Sequence, residues 1–251
     1  MKVFLTGASS GIGEALAREY AARGAKLGLV ARRADLLEAL RGSLPAGADT
    51  YAADVRDAGA LKAAAADFVA RHGAPDLVIA NAGVSHGTLT DHAEDVEVFR
   101  QILDVNVIGM VNTFHPFVAA MREAGRGTLA GVASVAGYRG LPGASAYSAS
   151  KAAAIRYLES LRVELRGTGV RVATICPGYI ATPMTARNPY PMPFIIAADD
   201  FARRFARALD SGRTYAVIPW QMAIVARLLT LLPNAAFDAA FARSKRKPRK
   251  G

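Results

Sequence analysis

Tyr147 and Lys151 stand four residues apart in a long alanine-rich helical pattern, so a phenol and an ammonium share one helix face. Such a pair can move a proton. An isolated phenol titrates near about 10, and a neighbouring cation favours its ionised form. A drop of about three units would bring it to the range where general acid/base catalysis works best, at roughly 4 kcal/mol of differential stabilisation. One ammonium needs a second positive charge to supply that much. Ser134 lies upstream, at the end of an apolar run. A hydroxyl there can fold back onto a carbonyl oxygen that the tyrosine protonates.

These side chains need a scaffold that brings a strand end to a helix. Residues 2–5 form a short apolar strand that runs into Thr6-Gly7-Ala8-Ser9-Ser10-Gly11-Ile12-Gly13. A helical pattern follows through Ile12, Leu16 and Tyr20 and stops at Gly24. Strand, glycine turn and helix together suit a dinucleotide: glycine lets the backbone approach a pyrophosphate, and the helix N-terminus attracts its charge. Further strands are expected at 27–31, 49–53, 77–80, 128–133, 170–176 and 215–219. Helices are expected at 35–41, from the N-cap Asp57 to Gly73, over 94–121, and from Gly143 to 167–169. This alternation predicts an α/β fold, a doubly wound, Rossmann-like parallel sheet in a single domain with a C-terminal helical extension. Its parts are a catalytic and dinucleotide-binding domain at 1–219, an apolar helical extension at 220–242 and a basic tail at 243–251.

The second strand ends in Ala31, and Arg32 and Arg33 follow. An acid there would hold a ribose 2′-hydroxyl, whereas two guanidinium groups match a phosphate. NADP(H) is therefore expected over NAD(H), the alternative being two solvated arginines at a turn. Asn106 is a polar amide inside the apolar pattern of 94–121.

Ser134, Tyr147 and Lys151 at this spacing, with Thr-Gly-x-x-x-Gly-x-Gly at 6–13, resemble the short-chain dehydrogenase/reductase family. The motifs fall in order over about residues 2–219. The resemblance implies an oxidoreductase in which Tyr147 transfers the proton and Ser134 polarises the oxygen. Lys151 would lower the tyrosine pKa and hold the nicotinamide ribose, with the oxidised nicotinamide as the second positive charge. Asn106 would join this catalytic set by holding a water that links Lys151 to solvent; the plainer reading is a satisfied core amide. The implied cofactor contacts are Gly7, Ser9, Ser10, Gly11, Ile12 and Gly13 in the turn, Arg32 and Arg33, and Asp54 and Val55 at the adenine. Asn81, Ala82 and Gly83 would steady the sheet beside the cofactor. Pro177, Gly178, Ile180 and Thr182 would fix the nicotinamide. Tyr147 and Lys151 belong to both groups.

Residues 184–196 carry Met184, Tyr190, Met192, Phe194, Ile195 and Ile196 between Pro189, Pro191 and Pro193. This proline-interrupted apolar segment suits a substrate lid. With Tyr138 and Leu141 it points to a hydrophobic small-molecule ketone or alcohol; packing on the body or a second subunit is the competing explanation. The helices at 94–121 and 147–166 are candidate faces of a homo-oligomer, a dimer or tetramer.

A lone Cys176 excludes an internal disulfide, and no histidine spacing suits a metal site. The net charge of +10 is concentrated in the tail, where six of the last nine residues are basic. Those cations offer no base readout, so specific nucleic-acid binding is not expected. With no signal peptide at the N-terminus, a cytoplasmic enzyme is expected. Residues 220–232 are strongly apolar but, at about 20 Å as a helix, too short for a bilayer core of about 30 Å. With the basic end, 220–251 can lie on an anionic membrane surface, cover a subunit or cover the pocket mouth. The other functions in view are a non-catalytic redox sensor and a membrane-held enzyme acting on lipid-like carbonyls.

Overall fold

The computed structural model describes residues 1–249. In chain order its elements are β1 (Lys2–Thr6), α1 (Gly11–Ala22), β2 (Lys26–Ala31), α2 (Ala34–Ser43), β3 (Asp49–Ala52), α3 (Ala58–His72), β4 (Leu77–Ala80) and α4 (Asp95–Leu103). A π-helical turn (Asp104–Ile108) leads into α5 (Gly109–Glu123), then β5 (Gly127–Val132), α6 (Ser145–Glu164) and β6 (Val170–Pro177). The two-residue strands β7 (Ile180–Ala181) and β8 (Ile196–Ala197) precede α7 (Ala198–Asp210), β9 (Tyr215–Ile218), α8 (Gln221–Leu231) and α9 (Asn234–Phe241).

The main sheet has seven strands in the order β3-β2-β1-β4-β5-β6-β9, every pairing parallel. It is the doubly wound, Rossmann-like architecture that the alternation predicts. Both faces are covered, and β1 shows how. Val3 and Leu5 enter one layer with Leu16, Leu29, Phe201 and Phe205, while Phe4 enters the other with Phe68, Phe114, Phe117 and Leu158. The Phe4 ring lies 4.7 Å from that of Phe117 and 5.5 Å from that of Phe68. Each such buried side chain contributes about 1.5–3 kcal/mol. The order reverses between β1 and β4, and a ligand crevice opens outside the C-terminal ends of strands at such a switch point.

The expected continuous helix over 94–121 is not continuous. One wide turn at Asp104–Ile108 separates α4 from α5, because it carries an extra residue that hydrophobic periodicity does not reveal. The extension bends by 119° between α8 and α9. Nor is the tail solvated throughout, as a run of basic residues suggests: Arg243, Lys245 and Arg246 are exposed, but Lys247 and Arg249 are half-buried. Residues 246–249 return to the body, where Gly87 donates its N–H to the Pro248 carbonyl at 2.8 Å. Lys250 and Gly251 of the expected tail lie outside the described residues.

Candidate active site

Gly7 takes φ +71°, and a Cβ at Gly13 would lie 2.0 Å from the Gly7 carbonyl oxygen. Only glycine fits such an approach. Ser10 precedes α1 without a side-chain cap, so first-turn N–H groups face the crevice for an anion. Asn81 donates from Nδ2 to the carbonyls of Thr6 at 3.1 Å and Gly7 at 3.2 Å, tying β4 to the turn. Arg33 reaches back from the start of α2 and donates to Ser9 Oγ at 3.1 Å and Ser10 Oγ at 3.0 Å. Arg32 is 3.8 Å from Asp54, which pairs more closely with Arg56 at 2.8 Å. The Arg56 guanidinium holds the Asp54 carboxyl below the usual carboxylate range.

At the other end of the crevice, β5 delivers Ser134, whose Oγ accepts the Ala136 N–H at 3.1 Å. The Ser134 hydroxyl faces the Tyr147 phenol closely enough to favour its ionised form. One turn along α6, buried Lys151 donates from Nζ to the Val132 carbonyl at 2.9 Å and lies 5.8 Å from the centre of the Tyr147 ring. Three groups of the kinds needed for proton transfer to a carbonyl thus meet. The expected depression of the tyrosine is not found in the protein alone. Burial pushes the Tyr147 phenol up, with only Ser134 acting against it. Burial also brings Lys151 down to about 8. Desolvation dominates at both groups, because both leave water together.

Asn106 sits in the π turn and is buried. Its Oδ1 accepts the Val84 N–H at 2.8 Å, and its Nδ2 donates to the Val84 carbonyl at 3.0 Å and to Ser150 Oγ at 2.9 Å. Its amide is therefore engaged by protein, as a core asparagine requires. It stands beside Lys151: a Cβ on Gly83 would lie 3.3 Å from Asn106 Oδ1 and 3.6 Å from Lys151 Nζ.

The crevice is lined by all of Gly7, residues 9–13, Arg32, Arg33, Asp54, Val55, residues 81–83, Ser134, Tyr147, Lys151, Pro177, Gly178, Ile180 and Thr182. Thr182 closes over the glycine turn, its methyl 3.2 Å from where a Cβ on Gly11 would stand. The Thr182 and Thr185 hydroxyls bond each other at 3.2 Å. A dinucleotide fits these residues, with a side-chain-free cradle and uncapped N–H groups at one end and a buried ammonium at the other. No cluster of metal-ligating side chains occurs among the described residues.

Residues 184–195 are irregular between β7 and β8, with Met184, Phe194 and Ile195 exposed and the Tyr190 ring 6.5 Å from that of Tyr179, while Ile196 opens β8. Tyr138 and Leu141 do not line the crevice. The Tyr138 hydroxyl instead accepts from Tyr215 at 2.7 Å, and Tyr215 also meets Cys176 Sγ at 3.3 Å. Cys176 is buried here, and burial pushes its thiol up to about 11. It is an inert structural thiol.

Sequence reasoning missed two neighbours of the site. Arg139 donates to the carbonyls of Leu229 at 3.1 Å and Leu232 at 3.0 Å and stacks 4.4 Å above Phe237, so it caps the end of α8. Lys247 donates to Ser85 Oγ at 2.7 Å and lies 5.7 Å from the centre of the Tyr147 ring. The only local hint was glycine at 87 and 143, where the tail backbone passes.

A sequence profile described as short chain dehydrogenase matches residues 1–191. An uncharacterized oxidoreductase from Myxococcus xanthus is 43% identical over 239 residues, which is 94% of each chain. A short chain dehydrogenase from Burkholderia cenocepacia, solved in complex with NADP, is similar with a TM-score of 0.83 at 28% identity, over 97% of this chain and 98% of that one. A 3-ketoacyl-(acyl-carrier-protein) reductase from Brucella melitensis, solved with NADH, has a TM-score of 0.79 at 26% identity, over 86% of this chain and 96% of that one.

Proposed function

This chain belongs to the short-chain dehydrogenase/reductase family and is an NAD(P)-dependent oxidoreductase, and on that footing we propose that it is an NADP(H)-dependent enzyme reducing carbonyls or oxidising secondary alcohols whose body is apolar. The observation that carries the reading is the meeting of Tyr147, Ser134 and Lys151 in the crevice that also holds the glycine turn. The cofactor, when bound, supplies or accepts the hydride.

Tyr147 gives its proton to the carbonyl oxygen in reduction and takes it back in oxidation, while Ser134 donates a second hydrogen bond to that oxygen. The burial that raises the phenol keeps it protonated at neutral pH, the form that reduction needs. Lys151 is anchored at Val132 and would hold the nicotinamide ribose. Asn106, beside it, would serve the proton relay. The NADP(H) preference is supported by Arg33, held over the two turn serines, with Arg32 next to it. The exposed Met184, Phe194 and Ile195 support an apolar substrate body.

A panel of carbonyls followed by NADPH absorbance tests the reading. Tyr147→Phe should lower turnover by about 10³-fold or more with cofactor affinity nearly intact. Undiminished turnover in that variant would overturn the assignment.

The reading extends to the setting of the enzyme. Exposed Val96, Ile108 and Val163 on α4, the π turn and α6 support pairing with a second copy, which sedimentation would reveal as a dimer or tetramer. We place the enzyme in the cytoplasm, which cell fractionation tests. A second reading concerns the extension. Trp220, Ile224, Leu228 and Leu231 form an exposed apolar stripe on and beside α8, and Arg243, Lys245 and Arg246 are exposed nearby in sequence. This pattern supports peripheral contact with an anionic lipid surface. Leu228→Glu should abolish flotation with anionic vesicles; equal flotation of both proteins would remove this reading.

A further inference from the structure

A polybasic tail ordinarily stays in water, where its charges are solvated. Within residues 246–249, Lys247 and Arg249 are half-buried instead, and the body is shaped to receive the segment. A Cβ on Gly87 would lie 2.2 Å from the Lys247 carbonyl oxygen, and one on Gly143 would lie 2.7 Å from Arg246 Cβ. Both approaches demand glycine, and Gly143 in addition has φ +71°. Arg249 locks the end of the segment. Its guanidinium bonds Asp95, whose side chain is 2% exposed, at 2.8 Å through Nε, and also Glu94. Asp95 accepts the Leu89 N–H at 2.8 Å as well, so a buried carboxylate is built around this arginine.

What the lock positions is one ammonium. Lys247 is half-buried beside the Tyr147 ring and spends one hydrogen bond on the neutral hydroxyl of Ser85. An ammonium has three donors, and no carboxylate among the described residues pairs with this one. Taking a cation out of water without a counter-charge is costly. Weak attraction to the ring face offsets only about 0.5–2 kcal/mol of that. Burial accordingly brings Lys247 down to about 8. A partner for it would lie near the Tyr147 ring, whose centre is 5.7 Å from the ammonium.

The geometry points to Lys247 as the receiving group for an anionic end of the substrate, so that the preferred compounds carry a carboxylate or a similar oxyanion a few carbons from the reacting carbonyl. This inference rests on the carbonyl-reductase reading above and deepens it: an apolar body contacts the segment 184–196, and an acid contacts the docked tail.

Matched pairs that differ only in charge provide the test: pyruvate and methyl pyruvate, and 4-oxopentanoate and its methyl ester. For at least one pair the wild-type enzyme should prefer the acid in kcat/KM. Lys247→Met should lower the acid-to-ester ratio by about 10- to 100-fold, the value of a charge-assisted hydrogen bond, with the change in KM. Lys247→Arg should keep most of the preference. Gly87→Ala, which obstructs the tail without altering the lysine, should lower the ratio in the same direction. A wild type that favours both esters, or a Lys247→Met variant that moves acid and ester equally, overturns the inference and leaves the carbonyl-reductase reading standing. Calorimetric titration of the full chain with butanoate and butanamide reads the same contact without turnover. Tighter binding of butanoate, lost in Lys247→Met, supports the assignment even if none of these carbonyls is reduced, and equal binding of the two probes overturns it.

Discussion

Two segments come to the neighbourhood of Tyr147 from opposite ends of the chain: the glycine turn at 6–13, which lines the crevice, and the docked tail at 246–249, whose Lys247 lies 5.7 Å from the centre of the Tyr147 ring. Both bring backbone closer than any side chain would allow, and both depend on glycines. They differ in where those glycines lie. In the turn, Gly7 and Gly13 make room for each other within a few residues. At the tail, Gly87 and Gly143 belong to the body and make room for a segment far away in sequence. The turn is thus a local device, held by strand, helix and Asn81. The tail is held by three kinds of contact that each need the finished fold: a backbone hydrogen bond, an ion pair with a buried acid, and a lysine–serine bond.

Substitutions can break this contrast at either end. The largest effect is expected at the turn. Gly13→Val places atoms on the Gly7 carbonyl, so dinucleotide affinity should fall by about 100-fold or more, read by fluorescence titration with NADPH. The tail contacts should survive, since none of them passes through the turn. A smaller and selective effect is expected at the rim. Arg33→Met removes the guanidinium held by Ser9 and Ser10, and should raise KM for NADPH by about 10- to 100-fold while barely changing that for NADH. Equal changes for the two cofactors would show that the arginine is not reading the 2′-phosphate.

The smallest effect is expected at the tail. Arg249→Met should leave cofactor binding unchanged and lower thermal stability, with a pH dependence that identifies the cause. Arg249 holds the Asp95 carboxyl below its ordinary range. The pair therefore stabilises the fold at pH above the unfolded value of about 3.9, and that contribution disappears as pH falls through the lower folded value. The difference in melting temperature between wild type and variant should be full at pH 7 and shrink in acid. A gap that persists unchanged to low pH would assign the loss to packing.

The same contrast explains what could be read from residues alone. The turn, Asn81 and the Tyr147–Lys151 pair obey short-range rules: a glycine triplet between strand and helix, a residue at a strand end, a spacing of four on one helix face. All the expected cofactor contacts lie on one crevice because the alternation of strand and helix fixes their positions at strand ends. The π turn escaped because Asn106 sits in it by tertiary demand, its amide bridging Val84 and Ser150. The shift of Tyr147 went the other way because charge spacing is visible in a sequence and burial is not. Tyr138 looked like a pocket residue by nearness to Ser134, yet its hydroxyl is claimed by Tyr215. Lys247 looked like one more solvated cation, since no local pattern connects it to Ser85 or to Tyr147.

Arg139 gives the end of α8 a bearing on how the molecule loosens. Its side chain holds two carbonyls and an aromatic ring of the extension, while its backbone continues the short segment that begins at Ser134. The serine segment and the two-helix hairpin are therefore riveted at one point and cannot swing apart separately. In a deuterium-labelling experiment, amides on either side of that rivet should exchange as one cooperative unit, at a common rate slower than that of residues 184–196.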